Sequence, residues 1–314
     1  MENKKKHSRL ILYMGAAVLA ISYSQFIIPD ALINFTTLTI FNTAFMLGIV
    51  LISEWTTRRI KQESLLTEIF KNKKTFLLFL VASTLGGLIL DLICKWLANL
   101  WFYAFFTPQK YALLFIGGFA LYWLMITESY LAIKMLLDKL KHGRRKITKS
   151  YKKERGVNIG IGLCGIVLLS AGLLLAIFEY RSRTSCFFNL SIPIDCKINF
   201  IFILMIFLGV WFLLEFLEHY LKRTSLSKNI LHGYFTPIIA IIICSFMLAF
   251  IMETQNLFYN YWIYFNWPLQ HVLILKLPIM MVLAWPLHYI FFLSLLCTIS
   301  KDLSKSIWRG DTIK

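Results

Sequence analysis

The stretch from Ile159 to Phe178 reads IGIGLCGIVLLSAGLLLAIF and contains no charged residue. At about 1.5 Å per residue, a helix of this length crosses a hydrocarbon core about 30 Å thick. Comparable apolar runs recur along the whole chain, so the sequence predicts an all-α, polytopic membrane protein. Hydropathy places eight transmembrane helices, at residues 10–28, 38–54, 76–94, 112–136, 158–179, 199–221, 234–254 and 272–299.

The composition agrees with a protein that lies mostly in the bilayer. Hydrophobic residues make up 58% of the chain and charged residues only 16%, and the mean hydropathy is +0.68. Soluble domains carry about 25% charged residues. The net charge of +17 would suggest a nucleic-acid partner in a soluble protein. In a membrane protein topology explains it better, and we expect no nucleic-acid partner.

The basic residues define one orientation. Segments 1–9, 55–75, 137–157, 222–233 and 300–314 carry 26 of the 33 Lys and Arg residues. Cytoplasmic loops are enriched in Lys and Arg, and these five segments all fall on the same side of an eight-helix protein. We therefore expect both termini in the cytoplasm and the protein in the plasma (cell inner) membrane.

A repeated pattern divides the chain into two four-helix repeats, residues 1–156 and 157–314. Each helical hairpin has an acid near the outer end of its first helix and a polar group in its second. The clearest pair is the segment from Leu85 to Phe106 and the segment from Met247 to Phe265. An axis along the membrane normal would relate such parallel repeats, and substrate sites tend to lie between them. The first-helix acids are Asp30, Asp91, Glu179 and Glu253, and the second-helix groups are Glu54, Glu128, Glu215 and His288.

Three acids inside or near the ends of the predicted helices are candidates for catalysis: Asp91, Glu128 and Glu253. A charged group at the bilayer centre costs about 2.5–3.5 kcal/mol, so such residues often mark function. Lys95 lies four residues after Asp91, on the same helical face, which predicts an ion pair. Glu253 has no cationic neighbour in sequence before Lys276, so it is a candidate general acid, with an ionised interfacial side chain as the alternative.

Other polar groups have simpler interpretations. Glu215, Glu218 and His219 favour a charge-paired helix end over metal ligands, because a di-iron bundle would need a second such motif. His288, beside Pro286, is expected to be a packed histidine or a substrate-binding group. The sequence contains no motif for a metal or a cofactor, and we expect neither.

Cys186 and Cys196 lie in the predicted outer loop 180–198. A disulfide between them would close a short loop and requires an oxidising compartment outside the membrane.

The repeated acid-Trp-Tyr segments resemble the lycopene cyclase domain and related membrane proteins of carotenoid biosynthesis. Glu253, Trp262, Tyr264, Pro268, Pro278 and Trp285 follow that family's order, and Asp91, Trp101, Tyr103 and Pro108 follow it in part. The chain departs from the family where paired acids should follow a proline, because Ile279 and Met280 follow Pro278. The resemblance implies that an intramembrane acid protonates a polyene and that aromatic rings stabilise the carbocation.

The sequence thus favours a cofactor-independent enzyme that acts on an isoprenoid or another membrane lipid, and it leaves the oligomeric state open. Its expected substrate-binding residues are Trp101, Tyr103, Trp262, Tyr264, Trp285 and His288. A transporter or lipid carrier, with the same acids binding a proton or cation, is one alternative. A scaffold subunit of an envelope complex is another.

The orientation is testable with single cysteines introduced into a chain whose six native cysteines are replaced. An impermeant thiol reagent applied to intact cells should label cysteines in 95–111 and 255–271 and leave those in 138–156 unlabelled. Labelling of 138–156 from outside would contradict the predicted topology.

Overall fold

The computed structural model describes residues 2–29, 32–61, 64–140, 151–182 and 200–308. This part of the chain contains twelve α-helices and two small pairs of strands. The helices are α1 (Glu2–Tyr23), α2 (Phe35–Lys61), α3 (Leu65–Lys71), α4 (Lys73–Asp91), α5 (Pro108–Leu113), α6 (Phe119–Leu140), α7 (Tyr151–Ser182), α8 (Ile201–Tyr220), α9 (Leu226–Leu231), α10 (Thr236–Tyr259), α11 (Ile279–Ile299) and α12 (Lys301–Trp308). The strands are β1 (Trp101–Tyr103), β2 (Trp262–Tyr264), β3 (Leu273–Ile274) and β4 (Leu277–Pro278).

Eight of the described helices are long and apolar enough to cross a membrane, namely α1, α2, α4, α6, α7, α8, α10 and α11. The predicted all-α, polytopic fold with eight spans is therefore confirmed. Three predicted boundaries were wrong. The second span ends at Ile60 and not at 54, because α2 continues to Lys61. The fourth span begins at Phe119 and not at 112, because α5 and a π-helical turn precede it. The eighth begins at Ile279 and not at 272, because the β3–β4 hairpin occupies 273–278.

Two helical hairpins, α1–α2 and α7–α8, form by close approach of their backbones. A Cβ added at Gly48 would lie 2.6 Å from the side chain of Leu19. A Cβ added at Gly209 would lie 2.6 Å from the backbone nitrogen of Leu169. Helices in lipid associate mainly through such van der Waals packing, which small residues permit. The two glycines therefore fix how closely each hairpin closes.

The core lies where α4, α6, α10 and α11 pack together. In this arrangement α6 packs against α2 and α10, and α11 packs against α8 and α4. The rings of Trp123 on α6 and Phe292 on α11 stack with centroids 3.9 Å apart, and both side chains are fully buried. Gly86 and Gly87 on α4 leave room for the rings of Phe292 and Phe119. Helices from residues 1–156 and 157–314 thus share one core.

Two short helices begin in the same way. The side chains of Ser64 and Ser225 cap α3 and α9. Ten residues before each serine, a glutamate reaches the start of the short helix. Ser64 Oγ donates to Glu54 at 2.6 Å, and the backbone N–H of Ser227 donates to Glu215 at 2.9 Å. Carboxylates satisfy free N–H groups at a helix start and complement the helix dipole. The two contacts differ in detail, because Glu54 accepts from the capping side chain and Glu215 from the helix backbone. The predicted repeat stays a prediction.

The last helix, α12, contacts helices from both regions of the chain, residues 1–156 and residues 157–314. Tyr130 Oη and Lys134 Nζ on α6 donate to the backbone carbonyl of Ile307, at 3.0 Å and 2.8 Å. Asn229 Nδ2 on α9 donates to the carbonyl of Trp308 at 2.9 Å. These donors satisfy carbonyls at the helix end that have no partner within the helix. The contacts with α6 and α9 tie α12 to both parts of the chain.

The helix contact at Gly209 can be tested with a matched pair of substitutions. Gly209→Ala should destabilise the protein by about 1–3 kcal/mol, since the added methyl group overlaps the α7 backbone. Gly160→Ala on α7 is the control, because no atom lies within 4 Å of its added Cβ. We expect the midpoint of thermal unfolding in detergent to fall only for Gly209→Ala. Equal midpoints for the two variants would contradict the close packing of α7 and α8.

Candidate functional site

The two acid-Trp-Tyr segments meet directly. Strands β1 and β2 pair antiparallel, with Trp101 opposite Tyr264 and Tyr103 opposite Trp262. Each region's tryptophan therefore lies beside the other region's tyrosine, as expected if a local two-fold axis passes between the strands. The pairing extends beyond the strands, where the backbone N–H of Phe265 donates to the carbonyl of Leu100 at 3.0 Å.

An asparagine in the left-handed conformation precedes each strand. Asn99 and Asn260 both have φ of 48°, and each stands two residues before the tryptophan of its strand. Asparagine adopts this conformation more readily than most residues. It lets the chain leave a helix and reverse into the strand. The sequence signal was present as a repeated Asn-x-Trp-x-Tyr, at 99–103 and 260–264, but only its Trp and Tyr were recognised.

The side chain of Asp91, at the end of α4, accepts three hydrogen bonds. Trp101 Nε1 and Tyr103 Oη donate to its Oδ1, at 3.2 Å and 3.3 Å. Tyr111 Oη, from α5, donates to Oδ2. The side chain is only 1% exposed. Three donors surround this carboxyl group, and the indole N–H of Trp101 can only donate, which favours a carboxylate that accepts all three bonds.

The predicted ion pair between Asp91 and Lys95 was wrong. Among the described residues, no ion pair of 4.0 Å or less joins them. The chain continues beyond α4 as a π-helical segment, Leu92–Leu97, so the four-residue spacing of an α-helix does not hold. Lys95 Nζ lies over aromatic rings, 4.4 Å from the ring centre of Tyr111 and 5.6 Å from that of Tyr103. The ammonium is thus held by cation–π contacts.

Glu253 forms an equivalent but smaller network at the end of α10. Tyr264 Oη donates to its Oε2 at 3.2 Å, and Asn256 Nδ2 donates to its Oε1 at 2.9 Å. Trp262 Nε1 donates to Tyr264 Oη at 2.5 Å and so reaches the carboxyl group through that hydroxyl. Glu253 is fully buried. Both networks hold an acid behind a Trp and a Tyr, but Glu253 receives fewer donors than Asp91.

A cavity of about 210 Å³ lies against these networks, between the two regions of the chain. Among the described residues that line it there is no Asp, Glu, Lys or Arg. Asp91 and Glu253 therefore do not line the cavity themselves. They are connected to it only through the side chains with which they form hydrogen bonds. All six residues expected to bind a substrate line this cavity: Trp101, Tyr103, Trp262, Tyr264, Trp285 and His288.

The wall is apolar and aromatic. Side chains such as Met46, Phe207, Met252 and Trp267 complete it, and all four are buried. Binding sites for small molecules are commonly apolar pockets with a few convergent polar groups, and this cavity has that character. The sequence did not predict Tyr122, Trp123 or Trp267 as lining residues. Packing between helices places Tyr122 and Trp123, and a hydrogen bond to the carbonyl of Leu100 places Trp267, and neither contact has a local sequence signal.

The two tyrosines at the cavity, Tyr103 and Tyr264, are protonated phenols. Burial and the neighbouring carboxylates raise the pKa of Tyr103 and the pKa of Tyr264 well above the ordinary tyrosine value. Both phenols therefore keep their protons at physiological pH. Each can donate a hydrogen bond or pass a proton on, but neither exists as a phenolate at rest.

Glu128, the third predicted catalytic acid, lies elsewhere. Its Oε1 accepts a hydrogen bond of 2.7 Å from the backbone N–H of Leu66, in the first turn of α3. It is fully buried and does not line the cavity. Its position indicates that it stabilises the start of α3. Asp30, Cys186 and Cys196 lie outside the described residues, so the predicted disulfide stays a prediction.

No protein-family model, no curated protein and no solved structure matches this chain. The eight apolar helices define it as a multi-pass integral membrane protein. The resemblance to the lycopene cyclase domain stays a prediction, and the cavity provides the chemistry from which a function is inferred.

The two hydrogen-bond networks predict how much Asp91 and Glu253 each contribute to the free energy of unfolding. Asp91→Ala leaves three buried donors without an acceptor and should cost about 3 kcal/mol or more. Glu253→Ala leaves two and should cost less. Unfolding midpoints from near-ultraviolet circular dichroism in detergent would measure this order. Asp91→Asn keeps one carbonyl acceptor and is the control, with an intermediate loss. An Asp91→Ala protein as stable as the wild type would contradict the network.

Proposed function

We propose that this membrane protein is an enzyme that isomerises or cyclises an isoprenoid, or another unsaturated lipid, by proton transfer within the cavity and without a cofactor. One observation carries the proposal. Two buried carboxyl groups each contact a tyrosine hydroxyl that lines the same apolar cavity. A proton can therefore enter and leave the cavity although no acid lines it.

The proton donor in this proposal is Glu253, acting through Tyr264. When Glu253 is protonated, its carboxyl O–H donates to Tyr264 Oη, which also accepts from Trp262 Nε1. The tyrosine's own proton then points towards the cavity. Transfer of that proton to a carbon of a double bond forms a C–H bond and a carbocation. The carboxyl proton moves to Tyr264 Oη in the same step, so the hydroxyl is regenerated and Glu253 becomes a carboxylate.

The proton acceptor is Asp91, acting through Tyr103. Its three donors favour the carboxylate form, and two groups whose environments differ in this way suit the roles of acid and base. After rearrangement or ring closure, the carbocation loses a proton from a neighbouring carbon to Tyr103 Oη. Tyr103 passes its own proton to Asp91. The cycle closes when Asp91 releases this proton and Glu253 takes up another from water, which restores both groups. The product has the same atoms as the substrate, and no oxidant or reductant is needed.

The aromatic side chains that line the cavity can stabilise a carbocation. Trp101, Trp262, Trp267 and Trp285 line the cavity, and the face of an indole ring attracts a cation more strongly than other aromatic faces do. Among the described residues that line the cavity, none carries an ammonium or guanidinium group that would repel positive charge. A site that stabilises developing charge with fixed groups lowers the barrier to reaction. The aromatic lining therefore supports carbocation chemistry beyond simple binding of a lipid.

The proposal places the site on the side of the membrane away from the cytoplasm, because β1 and β2 fall in predicted outer segments. The two four-helix repeats would each supply one carboxyl–tyrosine pair. A substrate from the bilayer, such as an isoprenoid, would bind between the repeats.

Lipid and pigment mass spectrometry on cells supplied with polyene precursors such as lycopene tests this function. Expression should give a cyclised or isomerised product with an unchanged elemental composition. Glu253→Gln should lower its yield by at least 100-fold, because the amide cannot supply the proton. Asp91→Asn should do the same by removing the base.

Glu128→Gln is the control for this experiment, since Glu128 supports α3 and does not reach the cavity. It should keep most of the activity. An unchanged lipid profile in cells that contain folded wild-type protein would contradict the enzyme. If uptake into sealed vesicles then depended on a proton gradient and on the same acids, the site would belong to a transporter.

A further inference from the structure

One polar contact in the cavity takes no part in the two carboxyl networks. Tyr122 on α6 and His288 on α11 both line the cavity, and Tyr122 Oη lies 2.9 Å from His288 Nε2. The two rings are nearly parallel, at 8°, with centroids 6.3 Å apart. The contact joins a helix of residues 1–156 to a helix of residues 157–314.

The second nitrogen of His288 decides which way this hydrogen bond runs. The ring also forms a hydrogen bond with the backbone carbonyl of Trp285, which can only accept. Since Nε2 faces Tyr122, Nδ1 is the nitrogen that faces the carbonyl and carries the proton. His288 is surrounded by the rings of Trp123, Trp285 and Tyr289 and is 7% exposed. It is therefore a neutral imidazole whose Nε2 offers a lone pair.

Tyr122 must then donate its single proton to His288. Its hydroxyl oxygen keeps only lone pairs for a ligand in the cavity. An alcohol can donate its O–H to such an oxygen. The oxygen of an ether, aldehyde or ketone has no proton to give and would face those lone pairs without a hydrogen bond.

We infer that the cavity selects a lipid alcohol, whose hydroxyl donates to Tyr122 Oη, over the ether or carbonyl form of the same chain. This inference rests on the proposed function for the cavity as the lipid site, but it does not depend on proton transfer. Tyr122 interacts electrostatically with Tyr103 and Tyr264. The bound hydroxyl would thus lie near both carboxyl–tyrosine pairs, and the reacting double bond would be close to the alcohol end of the chain.

The test uses three ligands with the same isoprenoid chain: farnesol, farnesyl methyl ether and farnesal. Purified full-length protein in detergent is loaded with radiolabelled farnesol, and each unlabelled compound is used as competitor. We expect farnesol to compete at a concentration at least tenfold lower than the ether or the aldehyde. That ratio corresponds to one net hydrogen bond.

Two Tyr→Phe variants locate the effect. Tyr122→Phe keeps the ring and should remove the preference, so that farnesol competes no better than its ether. Tyr289→Phe is the matched control, because Tyr289 is the next residue after His288, its buried hydroxyl has no hydrogen-bond partner and it does not line the cavity. That variant should keep the wild-type preference, which also shows that a folded protein tolerates the loss of a hydroxyl.

The outcomes separate this inference from the proposed function. Equal competition by the three ligands, or tighter binding of the aldehyde, would overturn the alcohol selectivity and leave the cavity as an isoprenoid site. A preference that survives in Tyr122→Phe would overturn the role of Tyr122. Failure of all three ligands to bind the folded protein would overturn both the selectivity and the isoprenoid function.

Discussion

The structure depends on the pairing of β1 with β2, which follow the C-terminal ends of α4 and α10. A backbone that leaves a helix near the bilayer must find new hydrogen-bond partners, because lipid offers none. Residues 101–103 and 262–264 supply these hydrogen-bond partners to each other. Their pairing brings helices from the two regions of the chain together and sets each Trp and Tyr in a fixed position. The cavity lies between these paired strands and the central helices, and side chains of α2 and α8 complete its lining.

The strands also explain how two buried acids are tolerated. A carboxyl group without partners in an apolar setting is costly, and hydrogen bonds reduce that cost. Trp101, Tyr103 and Tyr111 supply them to Asp91, and Tyr264 and Asn256 supply them to Glu253. Three of these side chains, Trp101, Tyr103 and Tyr264, also line the cavity. Stability and proposed chemistry thus use one set of contacts, so substitutions at the acids must be judged by both activity and folding.

The two networks are related but unequal, and the difference gives them different proposed roles. Near Asp91 the chain contains two π-helical segments, Leu92–Leu97 and Leu114–Gly118, whereas α10 runs regularly to Tyr259. Such segments occur often at functional sites. The first places Lys95 over the rings of Tyr103 and Tyr111 and not beside Asp91. The two strands are thus related by symmetry, but the surroundings of Asp91 and Glu253 differ. The proposed roles of proton acceptor and proton donor require such a difference.

The sequence by itself determined the membrane class, the eight spans and six of the residues that line the cavity. Apolar length decides what lies in a bilayer, and the repeated acid-Trp-Tyr spacing marked Trp101, Tyr103, Trp262 and Tyr264 before any contact was known. Only the tertiary structure decided that the two acids do not line the cavity themselves, that Glu128 supports α3, and that Tyr122 lies within hydrogen-bond distance of His288. Those facts depend on which helices become neighbours. Hydropathy and short-range spacing carry no information about packing between helices far apart in the chain.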